Sequence, residues 1–357
     1  MQEPAAGTSR RETGLDLARG LAVAGMAIVN FDLALAGDGG PSWLATLVES
    51  VQGRASALFV VLAGVGIGIL SQRRGTTARS TIARRGIALF VGGLALLAVW
   101  PADILHFYGL WFVLVVPLLG RSRRTLLALA AFLVALFPAL VLLGVDYERH
   151  WDFEALEYEG VLTADGFVRH LTFNGFHPTI PWFAYLLAGL ALSDLLTDRR
   201  VSVLALAALT GAIAMATEWL SPRLVASVVP EAGPLLDTSS IPPGPPYVIA
   251  GGATAISVLA LCIHIGRRPR RWRVLRAVEE CVCAAGRCAL SLYVLHVLVG
   301  IVPAYALTDE ARGPELSRPQ VTLFWLAWCA VFFTAAWAWT ARGRTGPFEA
   351  ALRRVAP

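Results

Sequence analysis

The chain has 357 residues, of which 56% are hydrophobic and 15% charged, with a net charge of +5 and a mean hydropathy of +0.63. This composition lies far outside the range of soluble domains, so lipid is the solvent for most of the chain. The positive balance does not mark a nucleic-acid binder, because the arginines fall in loops between apolar runs, where they set orientation in a membrane.

A helix needs roughly 20 apolar residues to cross the hydrocarbon, so the length accommodates about ten crossings in one all-α, polytopic transmembrane bundle. In chain order the apolar spans run 15–36, 54–70, 86–101, 104–119 and 125–145; after a long loop come 181–196, 201–220, 247–266, 287–307 and 321–341. Arginines gather in alternate connections: Arg10 and Arg11, Arg73 through Arg85, Arg121 through Arg124, Arg199 and Arg200, Arg267 through Arg276, and Arg342 through Arg354. The other loops hold fewer arginines and more acids, which puts both termini in the cytoplasm by the positive-inside rule. The expected layout is a cytoplasmic tail over 1–14 and a membrane domain over 15–341, then a cytoplasmic tail over 342–357. The membrane domain carries an extracytoplasmic loop at 146–179 and a basic cytoplasmic loop at 267–286. A cleavable signal peptide ending at Ala34-x-Ala36 is the competing reading of the first span, but Asp16, Arg19 and Asn30 are foreign to a plain apolar leader.

Gly64, Gly66 and Gly68 form a G-x-G-x-G run inside a span, where it signals close helix packing and not a phosphate loop. The long outer loop is rich in aromatic, acidic and histidine residues, among them His150, Trp151, His170, Asn174 and His177, and from Asp165 to Phe173 it has helical apolar spacing. Of the five cysteines, Cys281, Cys283 and Cys288 cluster beside a basic segment with no histidine or fourth cysteine nearby, so they read as small packing residues and no metal site is expected.

Ionisable or amide groups at bilayer depth are costly and carry functional hypotheses by default. In the first span Asp16 and Arg19 are three residues apart and Asn30 lies eleven beyond Arg19, so the three share a helix face that runs from a cation near the cytoplasm to an amide roughly 16 Å further out. A snorkelling arginine and a helix–helix hydrogen bond are the plainer reading. Asp103 and His106 stack one turn apart at the expected outer surface, either as a carboxylate orienting an imidazole or as part of an interfacial polar belt. In the ninth span Tyr293 and His296 share a face while Arg287 and Ser291 point nearly the opposite way, and His296 reads equally as a hydrogen-bonded core histidine or a catalytic one.

Leu15 to Ala22 with Gly25, Met26 and Asn30 resembles the opening of the bacterial proteins similar to heparan-alpha-glucosaminide N-acetyltransferase, and of the allied YeiB-type family of unknown function. Further matches follow in order: Gly53-Arg54 with Leu62-Ala63-Gly64, Ile104-Leu105 with Tyr108-Gly109, Pro178 with Pro181-Trp182 and Leu187-Ala188-Gly189, and Gly286-Arg287 with Leu290-Ser291-Leu292-Tyr293 and His296. The resemblance implies a transmembrane acyltransferase of the bacterial cytoplasmic membrane. It would take an acyl group, usually acetyl, from cytoplasmic acyl-coenzyme A to a sugar, lipid or small-molecule acceptor across the membrane. Arg19, with Asp16, Arg54 and Arg287, would then hold the coenzyme, while Asn30 stabilises the developing oxyanion and a base removes the acceptor's proton. Relatives place a histidine on or just after the first span, many of them where this chain has Asn30, and another where it reads Pro242 to Pro246. No histidine occurs before His106, so the base falls to His106, His177 or His296, or to Asp32. A transporter or channel for a polar or amphipathic solute is the second reading. The expected partners are membrane lipid and the acceptor, with a homo-oligomer left open.

Overall fold

The computed structural model describes residues 12–37, 40–153, 157–268, 273–306 and 315–357. The first span is helix α1 (Thr13–Leu35); a short α2 (Ser42–Val51) leads into α3 (Arg54–Arg74), which a tight turn joins to α4 (Thr77–Leu97). Then come α5 (Leu105–Leu114), extended by a 3-10 turn at Val116–Leu118, and α6 (Arg123–Leu142). The long loop holds a two-residue hairpin, β1 (Trp151–Asp152) against β2 (Glu157–Tyr158), then α7 (Ala164–Arg169) and a π-helical turn at His170–Asn174. The second half runs α8 (Thr179–Thr197), α9 (Val203–Val225), a one-turn α10 (Gly233–Leu236), α11 (Pro245–Arg267) and α12 (Arg273–Arg287). Its last elements are α13 (Ala289–Leu295), a π-helical turn at His296–Ile301, α14 (Val302–Ala306), α15 (Arg318–Ala341) and α16 (Pro347–Val355).

Among the described residues nine helical stretches are long and apolar enough to cross a membrane, which makes the chain a multi-pass membrane protein. The fourth expected span differs, since its α-helix has only 10 residues. Pro117, which has no N–H to continue the ladder, lies in the 3-10 turn that follows it. The segment nonetheless runs the length of its neighbour. A Cβ added at Gly93 would lie 2.1 Å from His106 N, one at Gly109 would lie 2.2 Å from Phe90 N, and Arg79 donates to the Leu119 carbonyl at 3.1 Å. These pairings follow an antiparallel hairpin that returns the chain to the end where α4 began.

Glycine also sets the spacing of α3 and α8, as the G-x-G-x-G run suggests. A Cβ at Gly64 would meet Leu186 O at 2.1 Å, one at Gly189 would meet Val61 O at 2.1 Å, and one at Gly68 would meet Ser193 Oγ at 2.3 Å.

Among the described residues the arginine clusters occupy one end of the bundle, where their side chains donate to main-chain carbonyls of neighbouring helices; Arg10, Arg11, Arg270 and Arg271 lie outside the described residues. Arg123 donates to Ala191 O at 2.9 Å and Arg267 to Leu196 O at 3.1 Å. Residues 342–357, expected as a tail, include α16, which is docked: Glu349 accepts from the Leu290 and Ser291 amides at 2.7 and 3.1 Å, and Arg74 donates to the Pro357 carbonyl at 2.5 Å. Most of the expected basic loop is the amphipathic helix α12, packed on α1 so closely that a Cβ at Gly286 would lie 1.8 Å from Asp16 O. The opposite end carries the hairpin, α7 and the π-helical turn of the long loop.

Candidate functional site

At the loop-rich end one hydrogen-bonded chain of polar groups links four parts of the fold. Asn30, near the end of α1, lies 2.8 Å from His296, its Nδ2 donating to Nε2. His296 therefore carries its proton on Nδ1 and donates it to the Tyr293 carbonyl one turn back. The Tyr293 hydroxyl donates to Asp103 Oδ1 at 3.2 Å and accepts from the Ile104 amide at 3.1 Å. Asp103 Oδ2 accepts from the His106 amide at 3.2 Å and lies 2.9 Å from His106 Nδ1, which leaves His106 Nε2 facing His170 Nε2 at 3.1 Å.

Local structure explains each position. Asp103 precedes the first turn of α5 and accepts its early N–H, as a helix-capping carboxylate does. His170 and His296 each begin a π-helical turn, an interruption of helix geometry often found at functional sites. The loop is fixed over the cluster by Asn174, whose Nδ2 donates to the Tyr147 and Arg149 carbonyls at 2.9 and 2.8 Å and whose Oδ1 accepts from Tyr158 at 3.0 Å. Asp103 and His106 were expected at the outer surface of the membrane. Both are 0% exposed, and the His170 ring at the head of the π-helical turn stacks on His106 at 5.3 Å between centroids.

Beside this chain opens a narrow cleft whose lining includes Asn30, Ser56, His177, Trp182, Tyr247 and Tyr293. His177 contributes a ring whose Nδ1 has no hydrogen-bond partner among the described residues. Burial, with a further push from His106, takes both His170 and His177 down to about 3, so both are neutral near pH 7. The neutral His177 ring can thus accept a hydrogen bond from a ligand in the cleft. Asn30 spends one N–H on His296 and keeps the second for the same ligand.

The structure brings Asn30, Asp103, His106 and His296 into one network and puts His177 on the cleft wall beside it. Arg19 pairs with the buried Asp16 at 2.9 Å and faces α3, where a Cβ on Gly66 would lie 4.0 Å from its guanidinium. Arg287 stands at the arginine-rich end, donating to Thr340 at 2.9 Å and lining a second cleft with Arg268, Arg276, Glu279, Glu280 and Trp337. Arg54 joins neither Arg19 nor Arg287. It opens α3 at the loop-rich end and is paired with Glu218, whose other oxygen accepts from Thr238 at 2.8 Å. Asp32 lies 3.5 Å from Arg318 and does not line the cleft.

Trp182 and Tyr247 complete the site without having been singled out as functional in the sequence, while His170 was noted only as part of the outer loop and Tyr293 only as sharing a face with His296. The signals present were the Tyr293-x-x-His296 spacing and the four-residue spacing of Gly166, His170 and Asn174, all three of which are buried.

Two family models match the chain. Residues 11–221 match heparan-alpha-glucosaminide N-acetyltransferase, catalytic, and residues 191–357 match a protein of unknown function (DUF418). No curated protein matches. The first segment supplies Asn30, Asp103, His106, His170 and His177, the second Tyr247, Tyr293 and His296, so the network and the cleft are assembled from both. With more than half of its length matched by the first of these models, the chain belongs to the heparan-alpha-glucosaminide N-acetyltransferase catalytic family.

Proposed function

We propose that this protein is a membrane-embedded acyltransferase that takes an acyl group, acetyl in the first instance, from acyl-coenzyme A at the arginine-rich, cytoplasmic end and passes it to an acceptor in the loop-rich cleft. The observation that carries this reading is the pairing, on one cleft wall, of an unpartnered imidazole nitrogen at His177 with an amide donor at Asn30. Direct transfer uses those two groups. His177 takes the acceptor's proton as its oxygen or nitrogen attacks the thioester carbonyl, Asn30 donates to the oxyanion that forms, and collapse breaks the C–S bond and releases the coenzyme thiolate.

The other residues serve these two. Tyr293, Asp103, His106 and His170 hold the outer wall rigid, and His296 fixes the amide of Asn30. Arg287, with Arg268 and Arg276, supplies three guanidinium groups against the two carboxylates of Glu279 and Glu280, a cleft in which coenzyme phosphates can pair with arginine, and Asp16 orients Arg19 between that end and the loop-rich cleft. Arg54, neutralised by Glu218, is left out of donor binding and braces α3 against α9.

The test is made on the purified protein in lipid nanodiscs with radiolabelled acetyl-coenzyme A. Saturating donor should raise the melting temperature, and the shift should shrink in Arg287→Gln. His177→Ala should cut acetyl transfer about 100-fold or more, the range typical of losing a general base. Absence of both stabilisation and transfer, with solute flux through proteoliposomes in their place, would favour the transport reading and end this one.

A further inference from the structure

The lining of the loop-rich cleft is polar but uncharged. Among its described residues there is no Asp, Glu, Lys or Arg, while Asn30, Gln52, Ser56, Ser240 and His177 supply neutral hydrogen-bonding groups. Two further donors on the same wall are unspent. Trp182 Nε1 and the Tyr247 hydroxyl have no partner among the described residues, although their side chains are only 1% and 2% exposed. Burying such groups unpaired is costly, so they point to a ligand that pairs them. The chain makes special room for one of them. Gly53 has φ of +71°, and a Cβ there would lie 1.9 Å from the Tyr247 hydroxyl, so only glycine serves at that turn.

The donor and acceptor pattern fixes the chemistry. Indole N–H is a donor only, and the Trp182 ring packs edge to face on His177 at 4.6 Å between centroids, beside an imidazole nitrogen able to accept. A group bridging the two must accept from Trp182 and donate to His177, as a hydroxyl does. A neutral amine could bridge them in the same way, but an amine arrives protonated near pH 7, and an ammonium has no lone pair for Trp182 and meets no carboxylate in the lining, so it must first shed its proton, a cost that a hydroxyl does not bear. Taking the acyltransferase reading as its starting point, we infer that the acceptor is an uncharged hydroxyl compound, a sugar or similar polyol, acylated on oxygen and not on an amine nitrogen. In that step the hydroxyl proton goes to His177, the C–O ester bond forms as the C–S bond breaks, the coenzyme thiolate leaves with the electron pair, and the proton on His177 is returned to that thiolate or to water.

The experiment supplies labelled acetyl-coenzyme A and a matched panel to the protein in nanodiscs: neutral methyl glycosides and glycerol against glucosamine and ethanolamine. Products are sorted by mild alkali, which cleaves esters and spares amides. An alkali-labile product from the neutral compounds is expected, with Trp182→Phe and Tyr247→Phe each raising the acceptor KM roughly 2- to 12-fold, the range for one lost hydrogen bond. Both substitutions keep the ring packing and should leave stabilisation by acetyl-coenzyme A unchanged, a readout that a misfolded variant would fail. An alkali-stable product from the amines alone would overturn the inference. So would stabilisation by acetyl-coenzyme A with no acetylation of any neutral hydroxyl compound, and in both cases the donor reading would stand. Loss of donor stabilisation and of all transfer in the unmodified protein would instead bring down the acyltransferase reading and this inference with it.

Discussion

The two ends of the bundle treat polarity in opposite ways. At the arginine-rich end the charges sit at the rim, and Arg79, Arg123 and Arg267 each settle on a main-chain carbonyl of a neighbouring segment. At the loop-rich end the polar groups lie inside: Asp103 and His106 are fully buried, His170 and His296 are each 1% exposed, and each depends on a partner from another element. Replaceable surface charge therefore marks the first end and interlocked burial the second. Substitutions should cost stability mainly at the second end, and ligand affinity without stability at the first.

The largest effect should come from Asp103→Ala. It leaves the Tyr293 hydroxyl and His106 Nδ1 without their acceptor in a dry site, and breaking a buried pair in this way costs about 3–5 kcal/mol. The melting temperature in nanodiscs should fall by many degrees and acetyl transfer should be lost. A loss within the scatter of surface substitutions, about 0.5 kcal/mol, would show that the network is not held as one unit.

Next is Gly93→Ala. The added methyl would lie 2.1 Å from His106 N, so α4 must move away from α5 and carry His106 with it, at about 1–3 kcal/mol for overpacking. Gly92→Ala, one residue away and open on that side, is the control and should be neutral or slightly stabilising. Equal effects would place the α4–α5 seam elsewhere.

These two positions also show how much could be learned from the residues alone. The spans, the alternate-loop arginines and the G-x-G-x-G seam were legible, because hydropathy and helix spacing act locally along the chain. Asp103 with His106 was legible too, being one turn apart. What joins that pair to His170, 64 residues away, or Asn30 to His296, 266 residues away, is tertiary packing, and periodicity carries no trace of it. The same limit explains Arg54, grouped with Arg19 by charge and residue type yet standing at the other end beside Glu218. Likewise, the contact of His170 with His106 depends on a loop whose folding back could not be foreseen from its aromatic and acidic composition.

A weaker and more distributed effect should appear with pH. His170 and His177 stay neutral in the fold down to about pH 3, whereas in the unfolded chain a histidine takes up a proton near pH 6.5. Between those values the unfolded state binds more protons than the folded one. Stability should therefore be full above pH 6.5 and fall as pH drops toward 3, by at most about 1.4 kcal/mol per pH unit for each histidine. Thermal melts from pH 7.5 to 5 should show this slope, and it should flatten in the double variant His170→Gln, His177→Gln. A slope unchanged in the double variant would assign it to other groups.

The smallest expected effect sharpens the comparison most, because it asks which end meets the donor. Arg287 lies in the arginine-rich cleft and Arg54 is paired at the loop-rich end, so Arg287→Gln should raise the KM for acetyl-coenzyme A by about 2- to 5-fold, the worth of one partly solvated charge contact. Arg54→Gln should leave that KM unchanged while lowering the melting temperature, because Glu218 loses its cation. The two variants remove the same charge from opposite ends, so net charge is matched between them and position differs. Were Arg54→Gln to weaken the donor and Arg287→Gln to spare it, the coenzyme would enter from the loop-rich end. The arginine-rich end would then keep only its topological role, and the direction of transfer through the bundle would be reversed.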